Sequence, residues 1–156
     1  MNQSFCLIKE EDAILPKSKP KYWHMAILDC NNFKDESSFY LELKKLFKLP
    51  SYFGNNLDAV ADCLTDLEWI KKSNIIIIIH NIDAIDPEDE IKNRIIKDFL
   101  LILKDTMNLW NVKGNEGFAP KKFYTFIYKT DRTEKLLKEL NLEVKVHTQL
   151  PIQRIV

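Results

Sequence analysis

The stretch SNIIIIIHN (73–81) decides the fold. Its five consecutive isoleucines are β-branched and stiff at χ1, which favours extended chain over helix. No polar residue alternates with them, so neither side of the strand is made for water. A strand that is apolar on both sides is buried on both sides, the habit of parallel sheets covered by other elements. No apolar run of the chain is longer than these five residues, far short of the roughly 18–20 residues that cross a bilayer.

Working outward, YWHMAILD (22–29) is a second short apolar run ending in a loop and reads as a strand. Between the two lie a helix capped by Ser37 or Ser38 and running to about Phe47, a turn at Phe53–Gly54–Asn55–Asn56, and a helix from about Leu57 to Leu67. In the first, Phe39, Leu43, Leu46 and Phe47 follow helical spacing, Lys44, Lys45 and Lys48 suit the negative C-terminal end, and Pro50 ends it. In the turn, Gly54 is expected to take positive φ, and either Asn to cap the helix that follows. After the isoleucines, Pro87 and the acids Glu88, Asp89 and Glu90 open a long helix over about 88–109. A polar loop (111–121), a strand (121–130), a short helix (133–140) and a final alternating strand (142–148) complete the chain. Upstream, Phe5 to Ile8 reads as a short strand and LPKSKPK (15–21) as an extended linker. Strands separated by helices imply right-handed crossovers. The expected fold is α/β, a mainly parallel sheet of three to four strands packed with helices in the order β-α-α-β-α-β-α-β.

The chain has 156 residues, enough for one domain, with 46% hydrophobic residues for its core. Its 23 basic and 23 acidic residues cancel, which argues against a general nucleic-acid binder. With no spanning segment and an N-terminus unlike a secretory signal, the chain is expected in the cytoplasm, without a membrane partner. Cys6, Cys30 and Cys63 are few, odd in number and without CxxC spacing, and read as reduced buried thiols.

Motifs for chemistry are scarce. The three glycines build no phosphate loop, and His24, His80 and His147 lack partners at metal-ligand spacing. No GxSxG elbow is present. No cofactor, catalytic residue or metal ligand is therefore assigned. One enzyme alternative rests on Asp29 and Asp83, which end predicted parallel strands at the edge where α/β sheets collect ligands. Both equally suit capping a turn.

Charge distribution is more telling. SYFGNNLDAVADCLTDLEWI (51–70) holds Asp58, Asp62, Asp66 and Glu68 and no Lys or Arg. On a helix, Leu57, Val60, Leu64 and Leu67 make an apolar stripe facing a core. Asp58, Asp62 and Asp66 make a second stripe at i, i+4 and i+8. Like charges at that spacing destabilise a helix by about 0.2–0.5 kcal/mol per pair. Such a surface is either a solvated face or one that meets positive charge supplied by a partner. The small Ala59 and Ala61 allow close approach, and Tyr52 adds an aromatic with a polar tip.

The run LPSYFGNNLDAVADCLTDL closely resembles the signature of the barstar family, intracellular inhibitors of barnase-type ribonucleases. Leu49, Pro50, Tyr52, Gly54, Asn56, Leu57, Asp58, Ala59, Asp62, Cys63, Leu64 and Thr65 agree without gaps. AILDCNNFKDESSFYLELKKLFK is similar to the family's first strand and helix. The resemblance implies a 22–156 barstar-like domain after an N-terminal extension (1–21), with a helix and strand added over 131–156. It also implies an antitoxin or immunity protein, monomeric when free and not an enzyme. Its helix acids would mimic RNA phosphates in the basic active site of a ribonuclease toxin, or meet another protein with a basic site. The central aspartate falls on Asp62, the earlier acid on Asp58, the contacting tyrosine on Tyr52 and the threonine on Thr65. A further acid on the late helix falls on Asp105. Asn56, Ala61 and Asp66 complete the partner-binding set. Departures are Ala61 and Leu67 where the family has aromatics, and Asp66 where it has glycine.

Overall fold

The computed structural model describes residues 4–115 and 121–152. Five strands form one all-parallel sheet in the order β2-β3-β4-β1-β5. They are β1 (Phe5–Ile8), β2 (Trp23–Asp29), β3 (Asn74–His80), β4 (Lys122–Tyr128) and β5 (Val144–His147). The helices are α1 (Glu36–Phe47), α2 (Leu57–Leu64), α3 (Glu90–Asn115) and α4 (Asp131–Glu139). The mainly parallel sheet read from the isoleucine run is present, with five strands rather than three to four. The additional strand pairing involves the N-terminus: β1 lies between β4 and β5, matching Cys6 to Phe126 on one side and to Lys145 on the other.

The isoleucines sit at the middle of this sheet and each is at most 1% exposed. Alternation divides them. Ile75, Ile77 and Ile79 join the core beneath the helices, with Phe39, Leu43, Leu64, Phe99, Leu103 and Leu137. Ile76 and Ile78 face the other way, where Cys6, Ile8, Trp23 and Phe126 are covered by Ala13, Leu15, Leu150 and Ile152. All four helices thus cover one face, and segments following β1 and β5 cover the second. Burying one such side chain contributes about 1.5–3 kcal/mol, so both covers stabilise the sheet.

Several element ends differ from the sequence reading. The α1 cap is Asp35: its carboxylate accepts the Ser38 N–H at 2.9 Å, while the Ser38 hydroxyl accepts the Asp35 N–H at 3.1 Å. Ser38 is therefore the third helical residue of a reciprocal capping box, not the cap. Helix α3 begins at Glu90, where Asp89 accepts the Lys92 N–H at 3.0 Å. It continues to Asn115, through residues read as loop; the rest of that predicted loop, 116–120, lies outside the described residues.

Candidate functional site

Helix α2 is held from three sides. At its start, Asn56 is the cap, its side-chain oxygen accepting the Ala59 N–H at 2.8 Å. The Asn56 amide also donates to the Gly54 carbonyl at 3.1 Å. This close approach explains the glycine: a Cβ on Gly54 would lie 3.2 Å from Asn56 Nδ2. Positive φ, expected at Gly54, falls instead on Asn55 at 52°. Asparagine tolerates that region better than most residues. The turn is pinned by Phe53, whose ring meets Tyr40 edge-on at 6.1 Å.

On the inner side, Val60, Cys63 and Leu64 are buried, with Leu57 and Ala59 packed against the core. At the C-terminal end, Trp110 of α3 donates its indole N–H to the Leu64 carbonyl at 2.9 Å. Thr65 turns its hydroxyl to the carbonyls of Ala61 and Asp62 at 3.0 and 3.1 Å. These bonds satisfy carbonyls that a helix end otherwise leaves without partners.

Helix α2 stops at Leu64, three residues before the expected end. The N–H groups of Asp66 and Leu67 both turn to the Cys63 carbonyl. Leu67 then adopts a left-handed conformation, φ 50°, and is fully buried. That conformation costs a non-glycine residue about 1–2 kcal/mol, which burial of a leucine side chain offsets. The expected stripe of three acids is therefore broken. Asp58 and Asp62 are exposed on the helix, and Asp66 is exposed on the turn after it. Trp69, just beyond, fastens this turn by donating to the Phe47 carbonyl at 2.9 Å.

The turn gathers a rim that the helical spacing did not foresee. Tyr52 is 73% exposed. Its hydroxyl is held above its ordinary pKa by slight desolvation, then by the negative charges of nearby acids, Asp66 before Glu68. Glu68 was counted among the acids of the segment but not among its site residues. Only the reversal at Leu67 brings it toward Tyr52. Burial pushes the Cys63 thiol up, aided by Asp62 and Asp66, so it stays protonated. Among the described residues, no ion pair involves Asp58, Asp62, Asp66 or Glu68. Asp105 is exposed on α3, five residues before the tryptophan that holds α2.

The two acids of the enzyme alternative are occupied with turns. Asp29 accepts the Asn31 N–H at 2.9 Å and the Asn81 amide at 2.8 Å. Burial works to raise its pKa, but these two bonds, with His80 and Lys92, hold it below the ordinary value. Asp83 accepts the Thr130 hydroxyl at 2.8 Å, at the α4 cap. Among the described residues, no group of three or more His, Cys, Asp or Glu is arranged to hold a metal ion. His24 donates to the Leu46 carbonyl at 2.7 Å, and His80 and His147 lie against Tyr128 and Phe126.

A family model described as Barstar (barnase inhibitor) matches residues 23–124, which runs from β2 into the start of β4 and includes all of α2. The chain belongs to the barstar family. The barstar match covers the acidic helix, its capped turn and the α3 tryptophan that anchors it. It leaves β1, α4 and β5 outside. The barstar part is thus a three-strand unit, β2-β3-β4, to which β1 and β5 are joined along the β4 edge. Among the described residues, no helix is long and apolar enough to cross a membrane.

Proposed function

We propose that this chain is an inhibitor that binds a cytotoxic ribonuclease and blocks its basic active site. The observation that carries the reading is the acidic surface of α2 and its following turn, without an ion pair among the described residues, inside the segment matched by the barstar family. Asp62 is the central anchor and Asp58 its neighbour one turn earlier, their carboxylates standing where RNA phosphates would lie. Asn56 aims the helix. Ala61 admits a close approach, and Tyr52, Thr65 and Asp66 form the rim, joined by Glu68. The rigid hold on α2 supports this role, because a pre-organised helix loses little entropy on binding.

The protein then acts as an antitoxin or immunity protein in the cytoplasm, and has no catalysis of its own. Buried thiols agree with a reducing compartment: burial pushes Cys6 and Cys30 up to about 12, leaving both unreactive. A second reading keeps the surface but changes the partner to a non-nuclease protein with a basic site. Ala61, Leu67 and Asp66 favour it, since two family aromatics are absent and an acid replaces glycine. The metal-dependent alternative at Asp29 and Asp83 has the least support, since both carboxylates already accept hydrogen bonds within the fold.

Capture from a lysate with this chain as bait, followed by assay of the captured protein for RNA cleavage, separates the readings. An active ribonuclease whose cleavage is blocked by the chain supports the first. A captured protein without nuclease activity supports the second. Magnesium-dependent hydrolysis by the chain itself, lost in Asp29→Asn, would support the third.

A further inference from the structure

Among the described residues, the sheet ends in an unpaired edge. Strand β5 pairs with β1 on one side only. The Phe5 N–H donates to the Glu143 carbonyl at 2.9 Å. Peptide groups alternate in direction along a strand, so those of Glu143, Lys145 and His147 turn toward β1. Those of Val144 and Val146 turn to the open edge. Both valine side chains are exposed, Val146 at 61%. With Leu7 and Leu142 they line a groove of about 360 Å³ whose rim carries Glu134 and Lys138 of α4. Exposed edges of this kind recruit another strand.

The sequence of the edge selects its partner. It reads Leu142-Glu143-Val144-Lys145-Val146-His147. We propose that β5 pairs antiparallel with β5 of a second copy of this chain, about a two-fold axis at Val144. Val144 then faces Val144 as a hydrogen-bonded pair, using the peptide groups that β1 leaves open. Leu142 faces Val146 in both directions, closing the apolar groove. Glu143 faces Lys145 of the second copy twice, giving two opposite-charge pairs on the other face. An axis at Lys145 would set the two lysines against each other, and one at Val146 would move Glu143 away from Lys145, opposite Gln149. Like charges directly opposite destabilise a strand pair. The Val144 register satisfies the hydrogen-bond parity and sets opposite charges against each other. The contact is isologous and closes as a dimer. The pairing differs from the free monomer expected from the sequence, and it uses none of the α2 residues.

Sedimentation velocity from micromolar to near-millimolar concentration tests the pairing on the full chain. The wild type is expected to shift from monomer to dimer. Val144→Pro removes an N–H that the fold does not use, and is expected to abolish the dimer with its melting temperature retained. Glu143→Lys is expected to weaken the dimer about tenfold or more, by turning two attractive pairs into repulsive ones. The double variant Glu143→Lys with Lys145→Glu should restore it. Asp62→Ala should leave the dimer unchanged, so the pairing and the inhibitory role fail separately. A wild type that stays monomeric throughout overturns the proposal. So does a dimer indifferent to Val144→Pro, or a double variant no better than Glu143→Lys alone.

Discussion

Helices α2 and α4 have nearly the same length, eight and nine residues, and lie on the same face of the sheet. Each is capped by a side chain, Asn56 accepting from Ala59 and Thr130 from Thr133. Each buries one leucine almost completely, Leu64 and Leu137. Their outer faces are opposites. Along α4 every i,i+4 charge pair is of opposite sign: Asp131 with Lys135, Glu134 with Lys138, Lys135 with Glu139. Glu134 also pairs with Lys129 at 3.5 Å, and Arg132 is tied to the Asp83 carbonyl and to Asn93. Along α2 the one i,i+4 pair is Asp58 with Asp62, and nothing within the described residues neutralises it. The inner faces obey packing, and both helices satisfy it. The outer face of α4 serves local stability, whereas that of α2 forgoes some, as the proposed partner-binding role requires.

The comparison is most severely tested through the inner faces. Leu64→Ala and Leu137→Ala are each expected to destabilise the fold by about 2–5 kcal/mol in urea unfolding, since both leave a cavity in the shared core. A markedly smaller loss for Leu64 would mean that α2 is a loose appendage. The caps come next. Asn56→Ala and Thr130→Ala should each lower stability by about 0.5–2 kcal/mol. Only Asn56→Ala should also weaken partner binding, because it frees the helix that carries the acids. Gly54→Ala should act in the same direction as Asn56→Ala, by crowding the cap amide.

Outer-face charge changes are expected to be smaller and opposite in sign. Glu134→Gln removes a half-exposed ion pair and should lower stability by at most about 1 kcal/mol. Asp58→Asn relieves the Asp58–Asp62 repulsion, and any change should be a slight gain offset by loss of a favourable charge at the helix start. A clear stability loss on Asp58→Asn would contradict the reading of this face as unpaired.

Acid adds a further test, away from both helices. Burial lowers the pKa of His24 below 6.5, opposed by its bond to Leu46 and assisted by Lys48, Lys72 and Lys121. Between 6.5 and that lower value the unfolded chain holds a proton that the folded chain refuses. Stability should therefore be full above about pH 6.5 and fall as the pH drops through this window. His80 acts in the same direction. Melting temperature measured against pH should fall less steeply in His24→Gln. An unchanged slope would show that His24 is not titrating against its burial.

What the sequence revealed follows from range. The isoleucine run carried the parallel sheet by itself, because five β-branched residues in a row leave no polar side. The place of β1 inside the sheet was not legible, since Phe5–Ile8 pairs with residues more than a hundred positions away. Within α1, residue type pointed to Ser37 or Ser38 as the cap, whereas the reciprocal bonds of Asp35 and Ser38 decide it. At the site, Asp58 and Asp62 were legible from helical spacing. Asp66 was placed on the helix rather than on the turn after it, and Glu68 was left out of the site, because burial of Leu67 ends the helix early and spacing alone does not see that competition.

The central claim is that the acids of α2 bind the basic active site of a ribonuclease. Its most direct test is titration of barnase-type ribonucleases, acting on RNA, with wild-type chain and with Asp62→Ala, alongside a melting curve of each. The wild type should abolish the activity of its target at one-to-one stoichiometry. Asp62→Ala should melt at the same or a slightly higher temperature and weaken binding by about 2 kcal/mol or more, roughly thirtyfold. Inhibition that survives Asp62→Ala unchanged would contradict the account, as would loss of inhibition only because the variant unfolds.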